Sequence, residues 1–410
     1  MNCRHCQKPL KQEFIDLYNS PPSNSFLKKE QLNEVEYYFP LKTFVCDSCF
    51  LVQVAEYKKA NEIFNNEYIY FSSFSSSWVE HAKQYVDKMV SEFRFNSNSF
   101  VVEVASNDGY LLQFFKEKNI PVLGVEPTVN TADVARKKGI DSINDFFGNE
   151  LAEKEFAGKN RKADLILGNN VLAHVPDIND FVHGLKTALK PNGIITIEFP
   201  HLIKLIALNQ FDTIYHEHFS YLSLFAVNSV FKSAGLRIFK VDELSTHGGS
   251  LRIYATHIEN KEHPEHSSVA AILANEVKEG VSSLNYYTGF QKKAGKVKTD
   301  LLQFLLEKKK NGKKVIGYGA AAKGNTLLNY CGIKPDLLSC CADASTYKQG
   351  LFMPGSHIPV ISPEEIKNIK PDYVLILPWN LKNEITTQLD FIRGWKGKFV
   401  VPIPELKVLE

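Results

Sequence analysis

The chain has 410 residues, 44% hydrophobic and 23% charged, with a net charge of only +2. That length exceeds one ordinary domain and predicts two or three. The charge balance gives no reason to expect a nucleic-acid or membrane-surface partner.

No apolar run approaches the ~18–20 residues that span a bilayer. The start, Met1-Asn2-Cys3-Arg4-His5-Cys6, lacks the apolar core of a signal peptide, so a cytoplasmic setting is expected. Seven cysteines are an odd number, and four of them fall in two CxxC pairs. In a reducing compartment that pattern argues for metal over disulfides. Cys3, Cys6, Cys46 and Cys49 supply four thiolates on two tight turns. They complete a tetrahedral Zn²⁺ site with no open position for water, so the metal is expected to be structural. His5 sits inside the first knuckle and is read as pointing outward. Cys331, Cys340 and Cys341 lie in apolar contexts and read as core thiols.

After an aromatic and serine-rich stretch, a helix is predicted from about Trp78 to Phe93. Strands and helices then alternate in a βαβ rhythm. Phe100–Val104 is a buried strand, the turn Ser106-Asn107-Asp108-Gly109 opens a helix near Tyr110–Lys118, and Val122–Val125 and Leu165–Leu167 are further strands. A helix over 178–189 stops before Pro191-Asn192-Gly193, and Ile194–Phe199 is the fourth strand. Helical spacing from about Pro264 to Lys310 reads as one long connector, whose end at Lys308, Lys309 and Lys310 is a solvated basic face. A second, smaller α/β unit follows: strands at Val315–Tyr318, Leu337–Cys341, Tyr373–Leu377 and Phe399–Val401, with a helix running through Leu328.

In open α/β sheets ligands bind outside the carboxyl ends of the strands. There the first strand gives Glu103, Ala105, Asn107, Asp108 and Gly109, and seventeen residues after Gly109 comes Glu126. A carboxylate at the end of the second strand can accept both hydroxyls of an adenosine ribose. The same geometry serves nicotinamide cofactors, but the first turn has no G-x-G-x-x-G to cradle a pyrophosphate. These residues, with Asn169 and Asn170 from the third strand's end, therefore point to S-adenosylmethionine, which has no phosphate. In the last unit Gly317-x-Gly319-x-x-Ala322 does match that fingerprint, with Lys323 adding a cation at the helix start, where phosphate is favoured; Asp343 could meet a ribose.

Three further segments carry a specific resemblance. Phe199-Pro200-His201, Phe211-Asp212-Thr213-Ile214-Tyr215-His216-Glu217-His218-Phe219-Ser220-Tyr221 and Thr246-His247-Gly248-Gly249-Ser250-Leu251-Arg252 resemble the sugar C-methyltransferase family, and the likeness extends over essentially the whole chain. Ala105 departs from it, standing where the family often has glycine, and His216 stands where an acidic residue also occurs. The resemblance implies a class I Rossmann-like methyltransferase domain with a small zinc domain before it and a Rossmann-like α/β domain after it. The expected division is 1–65 zinc-binding, 66–262 donor-binding, 263–300 helical connector and 301–410 nucleotide-sugar-binding. It implies an enzyme taking a nucleoside-diphosphate 4-keto-deoxysugar and methylating it at C3; a monomer is expected.

The residue chemistry fits such a reaction. Carbon becomes a nucleophile only when a proton beside a ketone is removed and the enolate is stabilised. His218 is the candidate base, because imidazole is neutral and proton-accepting near pH 7. Glu217 or Tyr215 would orient or polarise the sugar, and His174 would contact it from the third strand's end. The resemblance also implies an aromatic near the sugar, matched by Tyr68 or Tyr70; His201, His247, Gly248, Gly249, Arg252, Gly319 and Lys323 complete the expected substrate contacts. The competing readings are a metal site at His216 and His218, a core role for His218, an O- or N-methyltransferase, a nicotinamide-dependent oxidoreductase and a non-catalytic nucleotide-sugar binder.

Overall fold

The computed structural model describes residues 1–57 and 71–409. Among these residues the strands form three sheets. The first is antiparallel, built from β1 (Gln12–Ser20), β2 (Phe39–Val45) and β3 (Val52–Val54) between and after the two cysteine knuckles. Its fourth strand comes from far along the chain: β9 (Ser220–Tyr221) pairs with β3 through Val52–Tyr221 and Gln53–Ser220.

The central sheet has the order β10-β11-β8-β7-β4-β5-β6. Its parallel part comprises β4 (Val101–Val104), β5 (Val122–Val125), β6 (Ser142–Ile143), β7 (Ala163–Asn169) and β8 (Leu189–Pro200). All four β4 residues are buried, as a strand covered on both faces requires. Before it runs α1 (Ser76–Phe93), whose buried Ala82, Tyr85, Val86 and Met89 follow an i, i+3, i+4, i+7 stripe. Ser75 caps its first turn by accepting from the Trp78 N–H. α2 (Leu112–Glu117), α3 (Val129–Lys137) and α4 (Ile178–Ala188) link successive strands. The Pro191-Asn192-Gly193 segment, before which the 178–189 helix is expected to stop, lies within β8 at a register shift: pairing with β7 jumps from Ala163–Leu189 to Leu165–Ile194. Beyond β8 the chain forms α5 (Leu202–Ala207), β9 and α6 (Leu224–Ser233). The antiparallel hairpin β10 (Leu236–Leu244) and β11 (Ser250–His257) then closes one side of the sheet.

The expected single helical connector is two helices, α7 (Ser267–Glu279) and α8 (Phe290–Lys310), parted where Gly280 and Gly289 take φ of +103° and +82°. Glu276 of α7 is fully buried; it accepts from the Leu224 and Phe225 N–H groups and so caps α6, tying α7 to the central sheet. The last sheet, β14-β13-β12-β15-β16-β17, holds β12 (Val315–Tyr318), β13 (Cys341–Ala342), β14 (Val360–Ile361), β15 (Tyr373–Ile376), β16 (Lys398–Val401) and β17 (Lys407–Leu409), with α9 (Ala322–Cys331) following β12.

One continuous apolar core joins the first sheet, the 202–221 segment, α8 and the last sheet; the central sheet packs around separate clusters. The Phe211–Tyr221 segment is thus anchored by the two outer units, although it follows a central-sheet strand. Among the described residues no helix is long and apolar enough to cross a membrane.

Candidate active site

The four knuckle thiols converge: all Sγ atoms lie within 4.8 Å of one another, with Cys3–Cys49 at 3.5 Å and Cys6–Cys46 at 3.4 Å. A tetrahedron with Zn–S bonds of ~2.3 Å has sulfurs roughly 3.8 Å apart, so the cluster fits zinc. None of the four is in a disulfide. The Gln53 side-chain amide and the Ser48 N–H donate to Cys3 and Cys46 sulfurs, as second-layer donors to thiolates do. His5 is no ligand. Its ring meets Asn179 at 2.9 Å and Ser229 at 3.1 Å, so it binds the knuckle to the central unit. Arg4 does the same, donating to the Pro176 and Val54 carbonyls and lying over the Phe219 ring.

At the carboxyl ends of β4 and β5 the chain makes a turn rich in left-handed residues: Ala105, Asn107 and Gly109 have φ of +56°, +49° and +74°. Glu126 accepts from the Asn107 N–H at 2.9 Å and from the Thr128 N–H at 2.9 Å, which holds the turn against the second strand. Neither oxygen of Glu103 nor Oδ1 of Asp108 is hydrogen-bonded, and all three atoms are buried; both side-chain atoms of Asn169 are likewise buried and unpartnered. Burial, then the charges of Asp108 and Glu126, push the Glu103 carboxyl well above the ordinary range. Burial also raises Glu126. Such a group of strained acids suits a ligand that brings ammonium and sulfonium charge and ribose hydroxyls, and offers no cradle for a pyrophosphate. The residues therefore fit S-adenosylmethionine. Ser72 and Ser73 cover the turn, through the Ser72 N–H to Asn107 Oδ1 and the Ser73 hydroxyl to Asp108.

Beside this turn, at the ends of β7 and β8, Tyr215, His218 and His174 form one cluster. His218 Nδ1 lies 2.8 Å from the Thr213 carbonyl oxygen. A carbonyl only accepts, so Nδ1 carries the proton and Nε2 presents its lone pair. That lone pair faces the Tyr215 hydroxyl at 2.8 Å. His174 is held in the same tautomer by the Glu217 carbonyl at 2.8 Å, and its ring packs edge-on to His218 with centroids 4.6 Å apart. Burial first, and the neighbouring His174 second, hold His218 well below the ordinary histidine range; burial puts His174 at about 4. Both rings are neutral at pH 7. Both Glu217 oxygens accept from the Asn24 amide, at 2.8 and 2.9 Å, so a residue of the first unit orients it.

Other expected contacts fall into two groups. His247 joins the cluster's rim: it has φ +53°, packs on Trp78, and its Nε2 accepts from Asn170 at 2.7 Å. Burial and then Lys323 put its pKa at about 4. Gly248 lets that loop pass Trp379, whose ring a Cβ would meet at 2.6 Å; Gly249 approaches Lys204 as closely. Arg252 turns away from the rim. It pairs with Glu198 at 2.7 Å and lies over Tyr85, while Thr246 donates to the same carboxylate. Burial would raise Glu198, but His81 and Arg252 hold it at about 2. Arg252 therefore pins the His247 loop. His201 is buried and spent on Glu276 at 2.7 Å. His216 faces the Pro40 carbonyl and Phe39, away from His218, so the two histidines do not share a ligand position. Tyr68 and Tyr70 lie outside the described residues.

In the last unit Gly319 packs where a Cβ would strike Pro378. Asp343 is occupied by the Ser345 N–H and Lys348. Lys323 reaches back toward the cluster, and Trp379 donates to Asp212 at 2.8 Å. Trp379, Asn380 and Asn24 were not foreseen. The one signal for the first two is a polar aromatic pair just past a buried strand, in Leu377-Pro378-Trp379-Asn380.

Known proteins resemble the chain in all three parts. Residues 3–64 match the family described as "Putative zinc binding domain", 78–241 "Methyltransferase domain" and 245–404 "C-methyltransferase C-terminal domain". The C-methyltransferase NovU of Streptomyces niveus is 35% identical over 99% of this chain and 96% of its own. A ubiquinone biosynthesis O-methyltransferase of Pasteurella multocida is 30% identical over 23% of this chain and 43% of its own. The magnesium protoporphyrin IX methyltransferase of Synechocystis, solved with bound S-adenosylmethionine, aligns over 44% of the chain and 79% of its own at 14% identity and a TM-score of 0.34, too distant to add weight. The nicotinamide-dependent alternative has no support in these matches, since the Gly317–Ala322 turn falls within the C-methyltransferase domain. With a full-length relative, a thiolate centre fit for zinc and an acidic turn fit for S-adenosylmethionine, the chain belongs to the zinc-containing, S-adenosylmethionine-dependent C-methyltransferase family.

Proposed function

We propose that the enzyme methylates a nucleoside-diphosphate 4-keto-deoxysugar at the carbon beside the ketone, C3 by the family resemblance. The observation that carries this reading is the Thr213–His218–Tyr215 chain: a neutral imidazole, locked with its lone pair toward a tyrosine hydroxyl. Methylating an oxygen or an amine needs little help from such a pair, whereas methylating carbon requires removal of a C–H proton. Because Nε2 is engaged by the Tyr215 hydroxyl, the proton leaves in two linked moves. The phenolic oxygen takes the substrate proton as its own passes to His218 Nε2. This refines the expectation that His218 alone is the base. Glu217, oriented by Asn24, and His174 would position the sugar. Bound S-adenosylmethionine supplies an electrophilic methyl group; Glu103, Glu126, Asn169 and the 105–109 turn would hold it beside the cluster. The nucleotide would lie between the central and last units.

The test is incubation with a ¹³C-methyl donor and thymidine-, uridine-, guanosine- or cytidine-diphosphate 4-keto-6-deoxyhexoses. The expected product carries the label on carbon, coupled in the NMR spectrum to the ring carbon beside the ketone. Label on oxygen, or no product from any of the sugars, would overturn the reading.

A further inference from the structure

Lys323 opens α9 and is only half-buried, yet no carboxylate lies within ion-pair distance of it among the described residues. Its ammonium makes one hydrogen bond, to Asn380 Oδ1 at 2.7 Å, and rests 4.7 Å above the Trp379 ring. An ammonium has three N–H groups, so two remain to be used. The surrounding contacts show which segments meet around it. The opposite edge of Trp379 meets Gly248, next to His247, and its indole N–H is held by Asp212. One turn into α9, Thr326 donates to the Ile214 carbonyl at 3.1 Å, immediately before Tyr215. The lysine is thus set at the junction of the Tyr215–His218 segment and the His247 loop. Its charge lowers the proton affinity of both His218 and His247, which places it within electrostatic reach of each. Asp212, wholly buried with Oδ1 unpartnered, is the nearby counter-charge.

The glycine fingerprint before Lys323 suggests a phosphate ligand, but the geometry points elsewhere. We propose that Lys323 is a catalytic residue: held over Trp379 by Asn380, its ammonium donates to the ketone oxygen of the acceptor and stabilises the charge that develops there. This rests on the keto-sugar reading above. When the neighbouring C–H bond breaks, its electron pair forms the C=C bond and the carbonyl π pair moves to oxygen. The proton passes to Tyr215, whose own proton passes to His218, and Lys323 stays protonated throughout. A fixed cation at an oxyanion acts through the transition state, and removing one such donor typically costs ~10²–10³ in rate.

The experiment measures three quantities in wild type, Lys323→Met and Lys323→Gln. They are deuterium uptake from D₂O beside the ketone of the four nucleotide keto-sugars without methyl donor, the methylation kcat with donor, and calorimetric affinities for thymidine diphosphate and S-adenosylhomocysteine. Both variants are expected to lose ~10²–10³ in exchange and kcat. Affinity for thymidine diphosphate should move less than about threefold, a small fraction of the loss of a charged hydrogen bond. S-adenosylhomocysteine affinity at the wild-type level certifies the fold; should Met fail that check, Gln is read alone. Exchange that survives in both variants, or a tenfold or greater loss of thymidine diphosphate affinity at unchanged kcat, overturns the role of Lys323 and makes it a phosphate ligand or a spectator. A wild type that neither exchanges nor methylates any of the sugars strikes the keto-sugar reading itself.

Discussion

The chain builds the same strand–turn–helix unit twice, with opposite charge. After β4 three residues take left-handed φ, and Glu103, Asp108 and Glu126 crowd the turn: burial holds Glu103 and Glu126 above the ordinary range, and Asp108, with Oδ1 unpartnered, meets Ser73 and Lys138 through Oδ2. After β12 only Gly319 takes positive φ, and it lacks a Cβ for a protein reason, its contact with Pro378. Lys323 then supplies a cation one turn on. Glycine spacing records that the backbone bends sharply. What the bend is for is read from the titratable side chains beside it: under the proposal above, the acidic turn takes the cationic methyl donor and the cationic one meets the charge that develops on the acceptor.

The largest way to break this division is to remove the proton path, which the comparison assigns to neither turn but to the segment between them. Tyr215→Phe and His218→Asn should each lower the methylation kcat by ~10²–10⁴ in steady-state assays, as loss of a general base does. Donor affinity should be unchanged. The pH profile sharpens the same point. His218 must be neutral to accept a proton, and burial, with His174 beside it, holds its pKa well below the ordinary histidine range. Lowering the pH through the ordinary histidine range should therefore leave kcat without an acid limb there. An acid limb there would mean an imidazole in an ordinary aqueous setting.

Zinc loss should act on the acceptor side alone. Arg4 and His5 reach from the first knuckle to the central unit, and β3 pairs with β9 just past His218. Cys46→Ser should lose the ~1 zinc per chain that four thiolates hold, measured by elemental analysis. It should bind keto-sugar at least tenfold more weakly while keeping its affinity for S-adenosylhomocysteine, since metal binding is folding energy for the first unit. Equal loss at both sites would mean the units fold as one.

Within the donor turn, Glu126→Ala should weaken S-adenosylhomocysteine binding by about 1–3 kcal/mol in calorimetry, the cost of hydroxyls left unpaired. Unchanged affinity would remove Glu126 from the ribose. The smallest effect concerns Ala105, whose φ of +56° is one that an L-residue adopts at a cost. Relief of that strain is worth roughly 1–2 kcal/mol, offset in part by glycine's chain entropy, so Ala105→Gly should raise stability by about 0.5–1 kcal/mol in urea unfolding. A destabilised Ala105→Gly protein would show that Cβ packing outweighs the backbone strain.

Much of this was legible before the fold. The two CxxC pairs and the runs Phe100–Val104, Val122–Val125 and Val315–Tyr318 are local signals, and local signals survive folding. The hairpin β10–β11 was not read because its residues alternate imperfectly around a register shift at Ile238–Lys240. The two-residue β9 has no pattern to read at all; it exists because β3 offers an open edge. Arg252 and His201 are polar side chains in ligand-like motifs, yet their partners, Glu198 and Glu276, lie 54 and 75 residues away, and no spacing rule brings such pairs together. Asn24 and Trp379 reach the cluster from units that sequence alone keeps apart.

Donor and acceptor chemistry can be separated in a single exchange assay. Deuterium uptake beside the ketone of a nucleoside-diphosphate 4-keto-6-deoxyhexose, without methyl donor, is followed by NMR in wild type, Glu126→Ala and Tyr215→Phe. The account predicts wild-type exchange in Glu126→Ala and a loss of ~10²-fold or more in Tyr215→Phe. Exchange abolished in Glu126→Ala but retained in Tyr215→Phe would contradict it.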